Sequence, residues 1–180
     1  MSLLNAVLAT IHAETSRPIK GRTLLQKKLY FLGVLCDLDF GFSPYHYGPY
    51  SSDVANHLEA LVGAAFVSER IESFGGVSKF GEIRRYDYDL TDEGNSAVRG
   101  QPNEFSCYLA KLKMINNHVI ASDAYKISIA AKVHHIVSEG GQASKQDIIN
   151  RAAKLGWDLS NNDINQVLSY LTQMNLVTTS

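Results

Sequence analysis

The sequence predicts a mainly helical α+β protein with one small β-ribbon. Apolar residues recur at helical spacing along most of the chain, whereas residues 66–90 read as two extended segments around a glycine-bearing loop. Three helical segments precede this ribbon, and that order is typical of a winged helix. A shorter set of three helices follows residue 123. We therefore expect two winged-helix-like units joined by a long helix.

The first predicted unit comprises residues 1–100. Its first helix covers residues 2–14 and ends before Pro18, because a residue that precedes proline is pushed out of the α region. The second helix opens with capping-box spacing between Thr23 and Gln26. Because this helix is apolar over most of its circumference, we expect it to be central and buried.

A third helix and the ribbon complete this unit. Ser51 or Ser52 caps the helix, whose apolar residues recur at i, i+4, i+7 and i+8. The ribbon is expected to run over residues 66–74, turn through a loop of three glycines, and return over residues 85–90. Thr91 then caps a short helix.

The rest of the chain divides into a connecting helix and a second unit. Residues 100–103 contain turn formers and are the expected linker. Residues 101–122 predict an amphipathic helix that packs between the units or carries a dimer interface. The second unit comprises residues 123–180. In it Ser144 and Ser160 each precede an aspartate by three residues, which predicts two capped helices before a truncated strand.

Composition excludes several classes of function. Seventeen Lys plus Arg against eighteen Asp plus Glu give a net charge of -1, so nothing attracts the whole chain to nucleic acid or anionic membrane. No segment approaches the roughly 18 apolar residues of a membrane span. Cys36 and Cys107 are expected to be reduced thiols. We therefore expect a soluble, cytoplasmic protein with no membrane partner.

Enzymatic signatures are weak. Residues 76–83 have the glycine spacing of a phosphate-binding loop, but the Lys and the Ser or Thr that must follow are missing. His134 and His135 are adjacent, so on a helix they point in different directions and cannot share one metal ion. The sequence therefore nominates no catalytic residue, metal site or cofactor, and we expect a protein that is not an enzyme.

The cations of the ribbon leave DNA binding open. A winged helix usually presents its third helix to the major groove, where several cations must meet phosphates. Neither the third helix of the first unit nor the last helix of the chain contains Lys or Arg. A contact led by the ribbon would use other side chains, for which the candidates are Lys79, Arg84 and Arg85.

Aromatic residues cluster between residues 40 and 50, ahead of the third helix. They either pack against the second helix or form a protein-recognition surface, and the two roles can coexist. Tyrosine and arginine are favoured anchors of protein interfaces, and cations on the second helix are candidates for the same surface. The predicted partner-binding residues are Arg22, Lys27, Lys28, Tyr45, Tyr47 and Tyr50.

Several segments carry a resemblance to a known family. Residues 21–32 on the second helix, residues 46–51 and 58–61, and the step over 88–94 resemble the YwgA-like proteins. They are also similar to the C-terminal domain of the antitoxin DarG and, more distantly, to the Panacea (SocA-like) antitoxin domain. The resemblance implies a binding role in bacterial toxin neutralisation, phage defence or regulation. It supplies no catalytic residue.

Two functional hypotheses follow. The first is a non-enzymatic, antitoxin-like module that binds and neutralises a partner protein, such as a toxin or a defence effector. The alternative is a winged-helix transcriptional regulator that binds DNA through the ribbon and dimerises through the helix of residues 104–120. A homodimer is open under either hypothesis.

Overall fold

The structure, a computed structural model, describes residues 2–14, 17–78 and 81–178, and for residues 76–78 and 81–83 it describes the backbone alone. Within these residues the chain is mainly helical and contains one three-stranded antiparallel sheet. The predicted α+β class is therefore confirmed. Of the described helices, none is both long and apolar enough to cross a bilayer.

The helices follow the predicted order along the chain. They are α1 (Leu3–His12), α2 (Arg22–Cys36), α3 (Ser52–Gly63), α4 (Asp92–Gly100), α5 (Pro102–Asn116), α6 (Ala124–Gly140), α7 (Lys145–Lys154) and α8 (Asn161–Gln173). A single 3-10 turn, Val119–Ser122, separates α5 from α6. Ser51 caps α3, and both predicted capping boxes form, at the starts of α7 and α8.

The sheet consists of β1 (Ile19–Lys20), β2 (Val67–Ser78) and β3 (Gly81–Leu90) in the order β1-β3-β2. Strand β1 was not predicted, because two residues are too few to show an alternating pattern. The ribbon is longer than predicted: Gly75 and Gly76 lie inside β2 rather than in the loop. The register shifts between Ser73 and Val77, so the glycines lie at an irregularity of the ladder, where their lack of a side chain is tolerated.

Helix α2 is the central helix, as predicted. Leu25, Leu29, Phe31 and Leu32 on it have no exposed surface, and it packs against α1, α5 and α6. Its predicted capping box is wrong. Helix α2 begins at Arg22 with Gly21 at the N-cap position, so Thr23 lies inside the helix, and the Gln26 side chain bonds to Ser51 instead.

The linker and the connecting helix are shorter than predicted. Only Gln101 separates α4 from α5, and Pro102 starts α5 at a position where a missing N–H costs nothing. Helix α5 ends at Asn116, so Val119, within the helix predicted over residues 101–122, lies outside α5 and is 73% exposed. The apolar face of α5 is buried against α1 and α2. That face is therefore not available as the predicted dimer interface.

The buried side chains of the N-terminal and C-terminal helices form one continuous cluster. Helix α6 connects them, since it packs against both α2 and α8. The predicted strand at the C-terminal end does not form over residues 176–178. The division into units at residues 100 and 123 stays a prediction.

A candidate protein-recognition loop

The aromatic segment between α2 and α3 is a closed loop, called here the tyrosine loop (residues 42–50). Its two ends pair through Ser43 and Tyr50, whose backbone N–H and C=O groups exchange hydrogen bonds of 3.0 and 2.9 Å. At its tip the Gly48 N–H donates to the carbonyl of Tyr45 at 3.0 Å. These backbone hydrogen bonds give the loop a defined conformation.

Two buried side chains of α2 fix the base of the tyrosine loop. The amide of Gln26 donates to the carbonyl of Ser51 at 2.9 Å and accepts from the Ser51 N–H at 3.1 Å. The ammonium of Lys27 donates to the carbonyl of Pro49 at 2.7 Å. Each bond satisfies a backbone group that would otherwise be buried without a partner, so the loop and α2 are held as one body.

A third anchor comes from the far end of the chain. The indole N–H of Trp157, between α7 and α8, donates to the carbonyl of Tyr45 at 2.6 Å. This anchor was not predicted. The one signal for it in the sequence is that Trp157 is the single tryptophan of the chain. Its partner is a backbone carbonyl, and no sequence pattern identifies such a partner.

Two of the three tyrosine side chains of the tyrosine loop are exposed to solvent. Tyr45 is 55% exposed and Tyr47 is 71% exposed, whereas Tyr50 is partly buried. The ring of Tyr45 lies 4.6 Å from the ring of His46 and 5.3 Å from that of Tyr50, measured between centroids. A fixed backbone therefore displays two large aromatic side chains to solvent.

Arg22, at the start of α2, lies beside these tyrosines. Its side chain is about half exposed, its guanidinium donates to the Tyr88 hydroxyl at 2.8 Å and it stacks 4.0 Å above the Tyr86 ring. Arg22 lines a small cleft of about 120 Å³ with four other predicted residues, Tyr45, Tyr47, Tyr50 and the buried Lys27. The structure thus brings together five of the six residues predicted for partner binding.

Lys27 and Lys28 are buried, so neither presents its charge to solvent at this surface, which corrects the sequence prediction. They are 2% and 1% exposed. Burial, with a contribution from Lys132, lowers the pKa of Lys27 to about 8. Burial also lowers the pKa of Lys28, although Glu14 opposes the shift as its ion-pair partner. Residues 24–33 of α2 are all buried, so this part of the helix has no exposed face on which two adjacent lysines could lie.

The three predicted cations of the ribbon differ in their surroundings, and therefore in whether they could contact a phosphate. The Arg85 guanidinium pairs with Asp87 at 2.7 Å and with Glu72 at 2.7 Å, so two carboxylates already offset its charge. The same contact with Arg85 lowers the pKa of Asp87. Arg84 is exposed, and Lys79 lies outside the described residues.

No protein-family model matches the chain, and no curated protein matches it. The function is therefore argued from the geometry of the loop and from the charges around it.

The adjacent histidines of α6 are both buried and have separate neighbours. The Nδ1 atom of His134 is hydrogen-bonded to the Tyr30 hydroxyl at 2.7 Å, and the ring of His135 lies 5.8 Å from that of Trp157. Burial, with a smaller effect of His135, lowers the pKa of His134 to about 4. Within residues 2–14, 17–78 and 81–178, no three His, Cys, Asp or Glu side chains are grouped so that they could hold a metal ion.

Gly48 allows the tip of the loop to lie against α2 and α6, which makes it a test of the anchoring. Its φ is +95°, and an added Cβ would meet Lys132 Cγ at 3.1 Å and Lys27 Cε at 3.4 Å. We expect Gly48→Ala to lower the free energy of unfolding by about 1–2 kcal/mol. Urea unfolding followed by Trp157 fluorescence measures the loss. Gly156→Ala, where φ is +72° and a Cβ meets nothing within 4 Å, is the matched control for backbone strain and should lose less. Equal losses in both variants would contradict the anchoring.

Proposed function

We propose that this protein is a non-enzymatic protein-binding module that neutralises a partner protein, as a bacterial antitoxin or a defence-associated protein does. One observation carries the proposal: Tyr45 and Tyr47 are more than half exposed on a loop whose backbone is fixed by buried bonds. Tyrosine is enriched among the anchors of protein interfaces, so two exposed tyrosines on a fixed backbone favour recognition.

The rigid support adds to the argument because binding must offset the entropy of ordering the contact residues. A loop whose conformation is already fixed loses little further freedom when a partner docks. Tyrosine has only two side-chain torsions and offers both an apolar ring and a hydroxyl. Arg22, held by Tyr88 and stacked on Tyr86, supplies a positioned cation beside the two rings.

The first hundred residues are proposed to be a winged-helix-like unit. The order α1-β1-α2-α3-β2-β3 with the sheet order β1-β3-β2 supports this architecture. The resemblance of residues 20–65 to the YwgA-like proteins and to antitoxin domains supports a role in toxin neutralisation or defence.

DNA binding is the second candidate, and the ribbon is the observation that favours it. A winged helix can contact phosphates through its ribbon, on which Arg84 is exposed. Against it, the exposed face of α3 carries Asp53 and Glu59 and no cation, and Arg85 is already paired with two carboxylates. A face that would enter the major groove should not be acidic. We therefore place protein binding first.

An affinity pull-down from the native host tests the proposal. Half of the sample is treated with nuclease before mass spectrometry. We expect a stoichiometric protein partner that survives nuclease and is lost with the double variant Tyr45→Ala, Tyr47→Ala. Tyr125→Ala removes a tyrosine that is 68% exposed on α6 and is the matched control, which should retain the partner. Recovery of DNA alone, or of proteins that vanish with nuclease, would overturn protein binding in favour of the regulator.

A further inference from the structure

Strand β2 is the open edge of the sheet. In the described part of the chain it pairs with β3 alone, and the ladder between them is regular from Val67 to Ser73. The outer side of such a strand presents a row of backbone N–H and C=O groups that can pair with another chain. Ile71 and Phe74 on this strand are 51% and 55% exposed.

The sequence of this edge lacks two of the usual protections against pairing. Edge strands are commonly kept apart by proline, by short length, by a bulge or by charged side chains. Strand β2 runs over Val67–Ser78 and contains no proline. Its charges and the irregularity between Ser73 and Val77 are the features that can oppose pairing with a second copy, so pairing is confined to the regular part of the strand.

The charges favour pairing with Ile71 at the centre. A two-fold axis perpendicular to the sheet passes beside one residue of β2, which faces the same residue of the second copy. Each residue before this central residue then faces the residue of the second copy that lies equally far after it. With Ile71 at the centre, Arg70 faces Glu72 of the second copy, and this contact occurs twice. A centre at Glu69, Arg70 or Glu72 instead places like charges directly opposite, which is destabilising.

The side chains that this register needs are accessible. The Arg70 side chain is 66% exposed and the Glu72 side chain is 37% exposed. Within one chain the Arg70 guanidinium lies 3.1 Å from a carboxylate oxygen of Glu72, so both groups stand at the same face of the strand. Ile71 would meet its own copy and cover apolar surface that is now open to solvent.

We propose that the protein forms a two-fold dimer in which the β2 strands of two copies pair antiparallel about Ile71. This joins the two three-stranded sheets into one continuous sheet, held by backbone hydrogen bonds and by two Arg70–Glu72 contacts across the axis. The interface differs from the α5 face expected from the sequence, which is buried within the chain.

Two charge reversals test the register directly. Arg70→Glu gives a strand that faces its copy with Glu against Glu, and Glu72→Arg gives one that faces its copy with Arg against Arg. We expect each variant alone to self-associate about tenfold or more weakly than the wild type in sedimentation equilibrium. An equimolar mixture of the two variants pairs Glu with Arg at both contacts, so it should form a mixed dimer. Circular dichroism and thermal unfolding of each variant verify that it is folded.

Different results would contradict the dimer itself and the surface assigned to it. A wild-type chain that sediments as a monomer up to its solubility limit would overturn the dimer, as would a mixture that stays monomeric. A dimer that persists unchanged in Arg70→Glu would show that a different surface is used. The double variant Tyr45→Ala, Tyr47→Ala should dimerise like the wild type, so the result is independent of the proposed partner protein.

Discussion

Lys28→Met is expected to destabilise the protein by about 3–5 kcal/mol, because it removes the cation that pairs with the buried Glu14 carboxylate. Lys28 is 1% exposed and Glu14 is 7% exposed. The Lys28 ammonium pairs with Glu14 and also donates to the side-chain oxygen of Asn116 at 2.9 Å. This network joins α2 to the residues after α1 and to the end of α5. Urea unfolding monitored by circular dichroism measures the loss.

The double variant Lys28→Met, Glu14→Leu distinguishes the ion pair from simple packing. It removes both charges and fills their space with apolar atoms, so it should recover much of the stability that Lys28→Met loses. Lys113→Met, at an exposed position of α5, is the control for loss of a positive charge and should change stability little. The role of the pair would be contradicted by a loss below about 1 kcal/mol in Lys28→Met.

Acid is expected to destabilise the protein through His134. In the unfolded chain the pKa of this histidine is 6.5, and burial in the folded protein lowers the pKa to about 4. The unfolded state therefore binds more protons between these two values. Stability is fully present above pH 6.5 and is lost as the pH falls toward 4. Between pH 7 and pH 4.5 the contribution of this residue is a loss of about 2 kcal/mol.

Comparison with His134→Gln isolates this contribution. The amide side chain can still bond to the Tyr30 hydroxyl but does not titrate, so the variant should lose about 2 kcal/mol less than the wild type over the same pH range. His46→Asn replaces an exposed histidine and serves as the control. Identical losses in the wild type and in His134→Gln would mean that His134 does not stay neutral in the folded protein.

Local signals in the sequence predicted much of the helical frame. Ser144 and Ser160 with their aspartates marked two helix starts, since a capping box satisfies orphan amides whatever the rest of the fold does. The apolar circumference of α2 likewise predicted its central position. The exposed Tyr45 and Tyr47 were found because turn formers surround them and keep the segment at the surface.

Features that depend on distant partners were missed or misassigned. Gln26 could cap its own helix or bond to Ser51, and only the folded chain selects the second. Lys27 and Lys28 were assigned to a binding surface by their charge, although a lysine on an apolar helix can be buried when a carbonyl or a carboxylate receives it. Trp157 contacts the loop although it is far from it in the sequence, and no spacing pattern predicts a contact of that kind.

These buried contacts have a functional consequence. Lys27, which was predicted to touch the partner, instead holds Pro49 and so determines where the exposed tyrosines stand. A partner would therefore meet Tyr45, Tyr47 and Arg22, and would depend on Lys27 indirectly. Substitutions at the exposed rings should change affinity without changing stability, whereas substitutions at the anchors should change both.

The affinity of the purified partner for loop variants tests the central claim most directly. Isothermal titration calorimetry would compare the wild type, Tyr47→Ala and Tyr125→Ala. If the tyrosine loop is the recognition surface, Tyr47→Ala should weaken binding by roughly thirtyfold or more, as truncation of an interface hot spot does, and Tyr125→Ala should bind like the wild type. If Tyr47→Ala binds as tightly as the wild type while remaining fully folded, the partner docks elsewhere and the recognition role of the loop is contradicted.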